Sequence, residues 1–154
     1  MNPDPPVTLR CATIVFRDTA VLLVHRMSRG DWVLPGGRPR AREGVLACAR
    51  RELREETGLD VDPGRCAFVL ETIDPSGEQR VIELVFLSPD RPSAQPSGAE
   101  PGMQPQFVPL SQLGELTLRP PLGGHIRALH ANRHHSTAPY LGNLWRAAEG
   151  LLQR

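Results

Sequence analysis

The sequence predicts an α/β (α+β) architecture, a mixed sheet covered by helices. Two observations carry that expectation. β-branched, apolar runs open the chain and recur past its middle, and one long stretch of helix composition separates them, with helical composition returning near the end.

Taken in order, Val7–Phe16 and Ala20–Arg26 read as two strands joined by the tight turn "RDT". "DWVLPGG" gives a short extended piece stopped by Pro35, Gly36 and Gly37, with loop residues through Arg42. From Glu43 to Thr57 the string is rich in Ala, Leu, Glu and Arg and free of Pro, which is helix composition, and Gly58 stands where a left-handed residue closes the last turn. Cys66–Ile73 and Gln79–Ser88 read as strands around the turn "DPSGE". Residues Pro89 to Pro105 form a long Pro/Ser/Gly-rich surface loop, either mobile or functional. "FVPL" is a short strand, and Ser111 is placed to cap a small helix "QLGEL". Helices are expected from Leu122 to Arg133 and from Leu144 to Gln153, separated by "STAPYLGN".

Composition narrows the function classes. The 154 residues suit one domain spanning 1–154, and 40% hydrophobic with 23% charged residues is ordinary for a globular chain. A formal net charge of +1 gives no global reason to bind nucleic acid or a membrane. All 18 basic residues are Arg, which excludes lysine nucleophiles and Schiff bases. Cys11, Cys48 and Cys66 are odd in number, lack zinc-site spacing and read as small buried hydrophobes in a reducing compartment, not as a disulfide framework. "MNPDPPV" has no basic region followed by an apolar one, and no run reaches the ~20 apolar residues of a membrane span, so a cytoplasmic location is expected.

"RELREETGL", Arg51 to Leu59, packs three glutamates into little more than one helical turn, and each like-charge pair at helical spacing costs ~0.2–0.5 kcal/mol. At ~100° per residue, Glu52, Glu55 and Glu56 share an arc of roughly 100°. Leu46, Ala49 and Leu53 lie about a quarter-turn away as the core face, and Arg50 and Arg54 fall farther round toward water. The carboxylates therefore border the buried face, where a cleft would run. Three converging hard oxygen donors suit Mg2+ or Mn2+, which turns repulsion into coordination. The plain alternative is a solvated face laced by Glu–Arg pairs.

The stretch Gly37 to Leu59, "GRPRAREGVLACARRELREETGL", resembles the Nudix box of the Nudix hydrolases, G-x5-E-x7-R-E-U-x-E-E-x-G-U with U aliphatic. Every fixed position is filled, by Gly37, Glu43, Arg51, Glu52, Leu53, Glu55, Glu56, Gly58 and Leu59. The resemblance implies an α/β/α sandwich whose loop–helix–loop binds divalent metal and cleaves a pyrophosphate in a nucleoside diphosphate linked to another group. It implies Glu52, Glu55 and Glu56 as metal ligands with the Gly37 carbonyl, and Arg51 as the residue that orients them through Glu43 or Glu52. Glu52 could instead be the general base.

A further acid in the loop before the last strand is implied too, and Glu100 is the candidate, as the one acid between Asp90 and Glu115. Glu83, inside the apolar strand "VIELVF", competes with it, because a carboxylate there wants a partner or a cleft. Trp32 stacks on a base or fills the core. Arg26, Arg38, Arg40 and Arg42 flank the box as phosphate contacts or plain surface charge. The implied partner is a nucleotide-type small molecule such as a (d)NTP, ADP-ribose or a nucleotide sugar. Nudix proteins are often homodimers, and the apolar "APYLGNLW" docks either on its own domain or on a neighbour's. A non-catalytic ligand-sensing or interaction module on the same fold is the second reading; such relatives typically have broken boxes, and this box is intact.

Overall fold

A computed structural model describes residues 3–98, 100–135 and 138–145. The strands are β1 (Val7–Ile14), β2 (Phe16–Arg17), β3 (Ala20–Arg26), β4 (Asp31–Val33), β5 (Gly36–Gly37), β6 (Arg65–Ile73), β7 (Arg80–Leu87), β8 (Met103–Pro109) and β9 (Tyr140–Asn143). The helices are α1 (Val45–Thr57) and α2 (Gly123–Ala131), with a 3-10 helix at Leu110–Glu115. One sheet runs β5-β1-β7-β6-β9 and is mixed: β1 lies parallel to β7 and β6 parallel to β9, while the β5–β1 and β7–β6 pairs are antiparallel. The second sheet is antiparallel and built around β3, which pairs with β2, β4 and β8.

Alternation along β1 sets the layers. Cys11 packs with Cys48 and Ala49 of α1, whereas Ala12 and Ile14 pack into the main core with Ile126 and Leu129 of α2. The two helices thus cover opposite faces, the expected α/β/α sandwich with a mixed sheet. Leu53 seats α1 among Val15, Leu22, Leu59 and Val61, and burying such a leucine stabilises the packing by roughly 1.5–3 kcal/mol.

Several element boundaries differ from the sequence reading. The expected strand Val7–Phe16 breaks at Val15, where the chain leaves the first sheet and Phe16 pairs with Val21 in the second. Gly36 and Gly37 do not simply end an extended piece but pair with Ala12 and Cys11. An added Cβ on Gly36 would lie 2.4 Å from the Cys11 carbonyl oxygen, so only glycine allows that approach. Helix α1 starts at Val45, after Glu43, and closes at Gly58 with φ 74 as expected. Leu46, expected in the core, is 50% exposed, because the first turn is packed through Val45 instead. Cys66, expected to be buried like Cys11 and Cys48, is exposed near the start of β6. Ser111 lies inside the 3-10 helix, whose start has no side-chain cap. The end of the long loop is strand, since β8 begins at Met103. Part of "STAPYLGN" is also strand: β9 joins its own sheet beside β6. Most of the helix expected over 144–153 lies outside the described residues, and Leu144 and Trp145 are not helical.

Candidate active site

The acidic arc of α1 meets the backbone of β5. Glu56 sits on the buried face with Ala49 and Leu53, and its Oε2 accepts the Gly36 N–H at 3.0 Å. Burial raises its carboxyl from the ordinary 4.5 to about 7, and the nearby charges of Glu52 and Glu100 push the same way. The Gly36 N–H and the charge of Arg10 oppose the rise. Glu52 lies at the border, packed so close to Gly37 that a Cβ there would stand 2.3 Å from its carboxyl carbon. Glu55 is the outermost of the three, with its side chain 43% exposed.

Arg51 braces this arc. Its Nε and Nη2 donate to the two Glu43 oxygens at 2.7 and 2.8 Å, and its Nη1 donates to Glu52 Oε1 at 2.8 Å and Glu55 Oε2 at 3.2 Å. Nη2 also donates to the Arg38 carbonyl at 3.2 Å. These bonds hold the Glu43 carboxyl down at about 2 and push the guanidinium above its usual value. The bracing works because Glu43 lies in the loop ahead of the helix, free to face the arginine side-on. The Gly37 carbonyl, expected as a metal ligand, accepts the Cys48 thiol at 3.6 Å.

A cavity of about 720 Å3 opens beside Glu56 and Gly36. Arg10 and Glu83 form an ion pair in its wall. Arg26 and Arg119 also line it, both paired with the buried Asp31, as does Arg29. Glu83 is 3% exposed, so its partner and its cleft are both present.

Glu100 is exposed, in the long loop, and within electrostatic reach of Glu56. That loop is tied down. Arg17 donates to the carbonyls of Pro92 (2.7 Å) and Ala94, its guanidinium lies 3.9 Å over the Phe107 ring, and the Ser97 N–H reaches the Thr57 carbonyl at 2.8 Å. Two candidates stand elsewhere. Trp32 stacks on His25 at 4.6 Å across the β3–β4 register and packs against the main core, and the Arg38 side chain is exposed; neither lines the cavity.

The donor set suits a hard divalent cation: three carboxylates on one helical arc, one driven out of water and raised to about 7. Among the described residues no three His, Cys, Asp or Glu side chains converge on a single point, since Arg51 ties Glu52 and Glu55 while Glu56 turns to Gly36.

The NUDIX domain family model matches residues 7–129. The chain belongs to this family. Over 105 residues it is 31% identical to the "8-oxo-dGDP phosphatase NUDT18" of Danio rerio, covering 62% of this chain and 31% of that protein. Over 71 residues it is 35% identical to the "Uncharacterized Nudix hydrolase YvcI" of Bacillus subtilis (strain 168), covering 46% of this chain and 45% of that protein. The chain thus spans less than half the length of these curated relatives. Among solved structures, the MutT NUDIX hydrolase from Burkholderia pseudomallei superposes with a TM-score of 0.62 at 26% identity, covering 69% of this chain and 85% of that one. The MutT protein from Methanosarcina mazei Go1 gives 0.71 at 22% identity, covering 86% and 99%, a likeness of fold alone.

The Nudix box itself was legible, and Arg26, one of the flanking arginines read as phosphate contacts or surface charge, does line the cavity. Arg10, Gly36 as a donor to Glu56, Arg119 and the pairing of Arg26 and Arg119 through Asp31 were not legible. One signal pointed to Arg10. It is the lone charge in "VTLRCATIVF", and the reasoning that a charge on an apolar strand wants a partner applies to it as well as to Glu83.

Proposed function

We propose that the chain hydrolyses a pyrophosphate bond in a nucleoside diphosphate linked to another group, with Mg2+ or Mn2+ as cofactor. The observation that carries this reading is the arc of Glu52, Glu55 and Glu56, braced by Arg51 and meeting, at Glu56, a cavity with arginines in its wall. Glu52, Glu55, Glu56 and the Gly37 carbonyl are the residues that would hold the cation. Bound there, a divalent cation would supply neutralisation of the diphosphate's charge and activation of the attacking water.

The chain's own residues do the rest. Arg51 fixes the glutamates and keeps Glu43 from joining them. The arginines of the cavity wall attract and orient an anionic substrate. Glu100, or Glu52 in its place, takes the proton of the attacking water, and the bond between the two phosphorus atoms' shared oxygen and one phosphorus breaks. The products are a nucleoside monophosphate and the phosphorylated second group, or pyrophosphate when the substrate is a triphosphate. The reading takes residues 1–154 as one catalytic domain acting on a nucleotide in the cytoplasm. (d)NTPs, ADP-ribose and nucleotide sugars all belong to the substrate class, and the Danio rerio relative is named for phosphatase action on a nucleoside diphosphate, 8-oxo-dGDP.

The test is a panel of (d)NTPs, ADP-ribose, sugar nucleotides, NADH and dinucleoside polyphosphates incubated with Mg2+ or Mn2+, with products separated by chromatography and a chelator control. Metal-dependent release of a nucleoside monophosphate supports the reading. A protein that binds metal yet cleaves none of the panel would move it to the ligand-sensing module.

A further inference from the structure

Arg10 and Glu83 face one another in register across the parallel strands β1 and β7. Glu83 lies two residues before Val85 of the main core, so it points to the α2 face, into the same cavity that Glu56 enters from the β5 edge. Its Oε1 accepts a hydrogen bond from Arg10 Nη1, and Arg10 Nη2 donates to the Leu34 carbonyl at 2.7 Å, which fixes the guanidinium from two sides. Among the described residues, Glu83 Oε2 accepts no hydrogen bond. It is not sealed away either: Thr13 Oγ1 is the one sealed side-chain polar atom there without a partner. The free oxygen therefore has access to the cavity, whose wall includes the apolar Val33, Val81, Leu116 and Leu118. An apolar pair would fill this place at lower desolvation cost.

A carboxylate in an ion pair is a hydrogen-bond acceptor only. With one Arg10 N–H on Oε1 it keeps a second lone pair there beside the free Oε2, so whatever meets it must present two adjacent donors to use both. Guanine offers two side by side, N1–H and the N2 amino group. Adenine and cytosine offer one amino group next to a ring-nitrogen lone pair, and uracil and thymine one N–H between two carbonyls. Each of these sets a lone pair against the carboxylate. At about 720 Å3 the cavity is within the ~300–1,000 Å3 of small-molecule sites, and both Glu56 and Glu83 line it.

We infer that Glu83, braced by Arg10, reads the substrate's base and selects a purine with two adjacent N–H donors, so that guanine nucleotides are preferred over adenine and pyrimidine nucleotides. This rests on the pyrophosphohydrolase reading for its chemistry, but the base recognition is separable from it.

The experiment compares kcat/KM for guanine, hypoxanthine, adenine and cytosine nucleotides carrying the same phosphate chain, in the wild type and in Glu83→Gln. Guanine is expected to exceed hypoxanthine, which lacks only the N2 amino group, by roughly tenfold, and adenine by roughly 100-fold or more. Glu83→Gln, which replaces one acceptor by a donor, should compress the guanine-to-hypoxanthine ratio to near unity. If that variant fails to fold, titration of the metal-free wild type with GMP, IMP and AMP in chelator, followed by NMR shifts, decides alone, with GMP expected to bind tightest. Hydrolysis of adenine or pyrimidine nucleotides as fast as guanine, or equal binding of the three monophosphates, overturns the inference. No hydrolysis with any metal, alongside GMP-selective binding, overturns the hydrolase reading and leaves the base reader standing.

Discussion

Replacing Glu56 with Gln removes a titration from the interior and leaves the side chain's shape and its contact with the Gly36 N–H in place. In the metal-free protein, burial holds this carboxyl at about 7 against an ordinary 4.5. The folded state thus binds the proton more tightly than the unfolded one. Its stabilising contribution is full below pH 4.5 and is lost as the pH rises through 7. The shift of about 2.5 units, at 1.36 kcal/mol each, corresponds to roughly 3 kcal/mol, most of it lost between pH 5 and 7. Urea unfolding in chelator at pH 5 and pH 8 reads this directly. The wild type should lose stability relative to Glu56→Gln by about 2–3 kcal/mol across that interval, and comparing the two cancels the other titrating groups. A wild-type-to-variant difference that is the same at both pH values would refute the buried, proton-holding Glu56.

Arg51→Lys should lower kcat by roughly 10–100-fold despite keeping the charge, because an ammonium cannot hold Glu43 side-on while reaching Glu52 and Glu55; steady-state kinetics checks it. Gly37→Ala presses on the flexible end of Glu52, so activity should fall while the urea midpoint barely moves. Gly36→Ala meets the backbone of Cys11 and Ala12, so the midpoint itself should drop, by roughly 1–3 kcal/mol in unfolding free energy. Arg17→Ala should slow turnover by freeing the loop that carries Glu100, and that effect should vanish in a Glu100→Gln background if the two residues act together.

What the sequence made legible follows interaction range. The acidic arc, the closing glycine and the hairpin of β6 and β7 depend on residues close in the chain, and their periodicity or turn chemistry shows through. The pairing of Arg10 with Glu83 depends on two strands 73 positions apart lying parallel and in register, which no local pattern specifies. The break at Val15 is hidden for a related reason: an apolar run looks the same whether it stays in one sheet or crosses to another. Leu46 has the right helical angle for the core yet stands free, because angle says nothing about where along the helix the packing begins.

The central claim is that the arc of α1 serves metal-dependent cleavage of a nucleotide diphosphate. Its most direct test is product analysis on the best substrate of the panel for the wild type, Glu55→Gln and Glu56→Gln, each with Mg2+ and with chelator, alongside circular dichroism. Nucleoside monophosphate is expected from the wild type only when metal is present, and none from either folded variant. Full turnover by both variants, or wild-type turnover that persists in chelator, would contradict it.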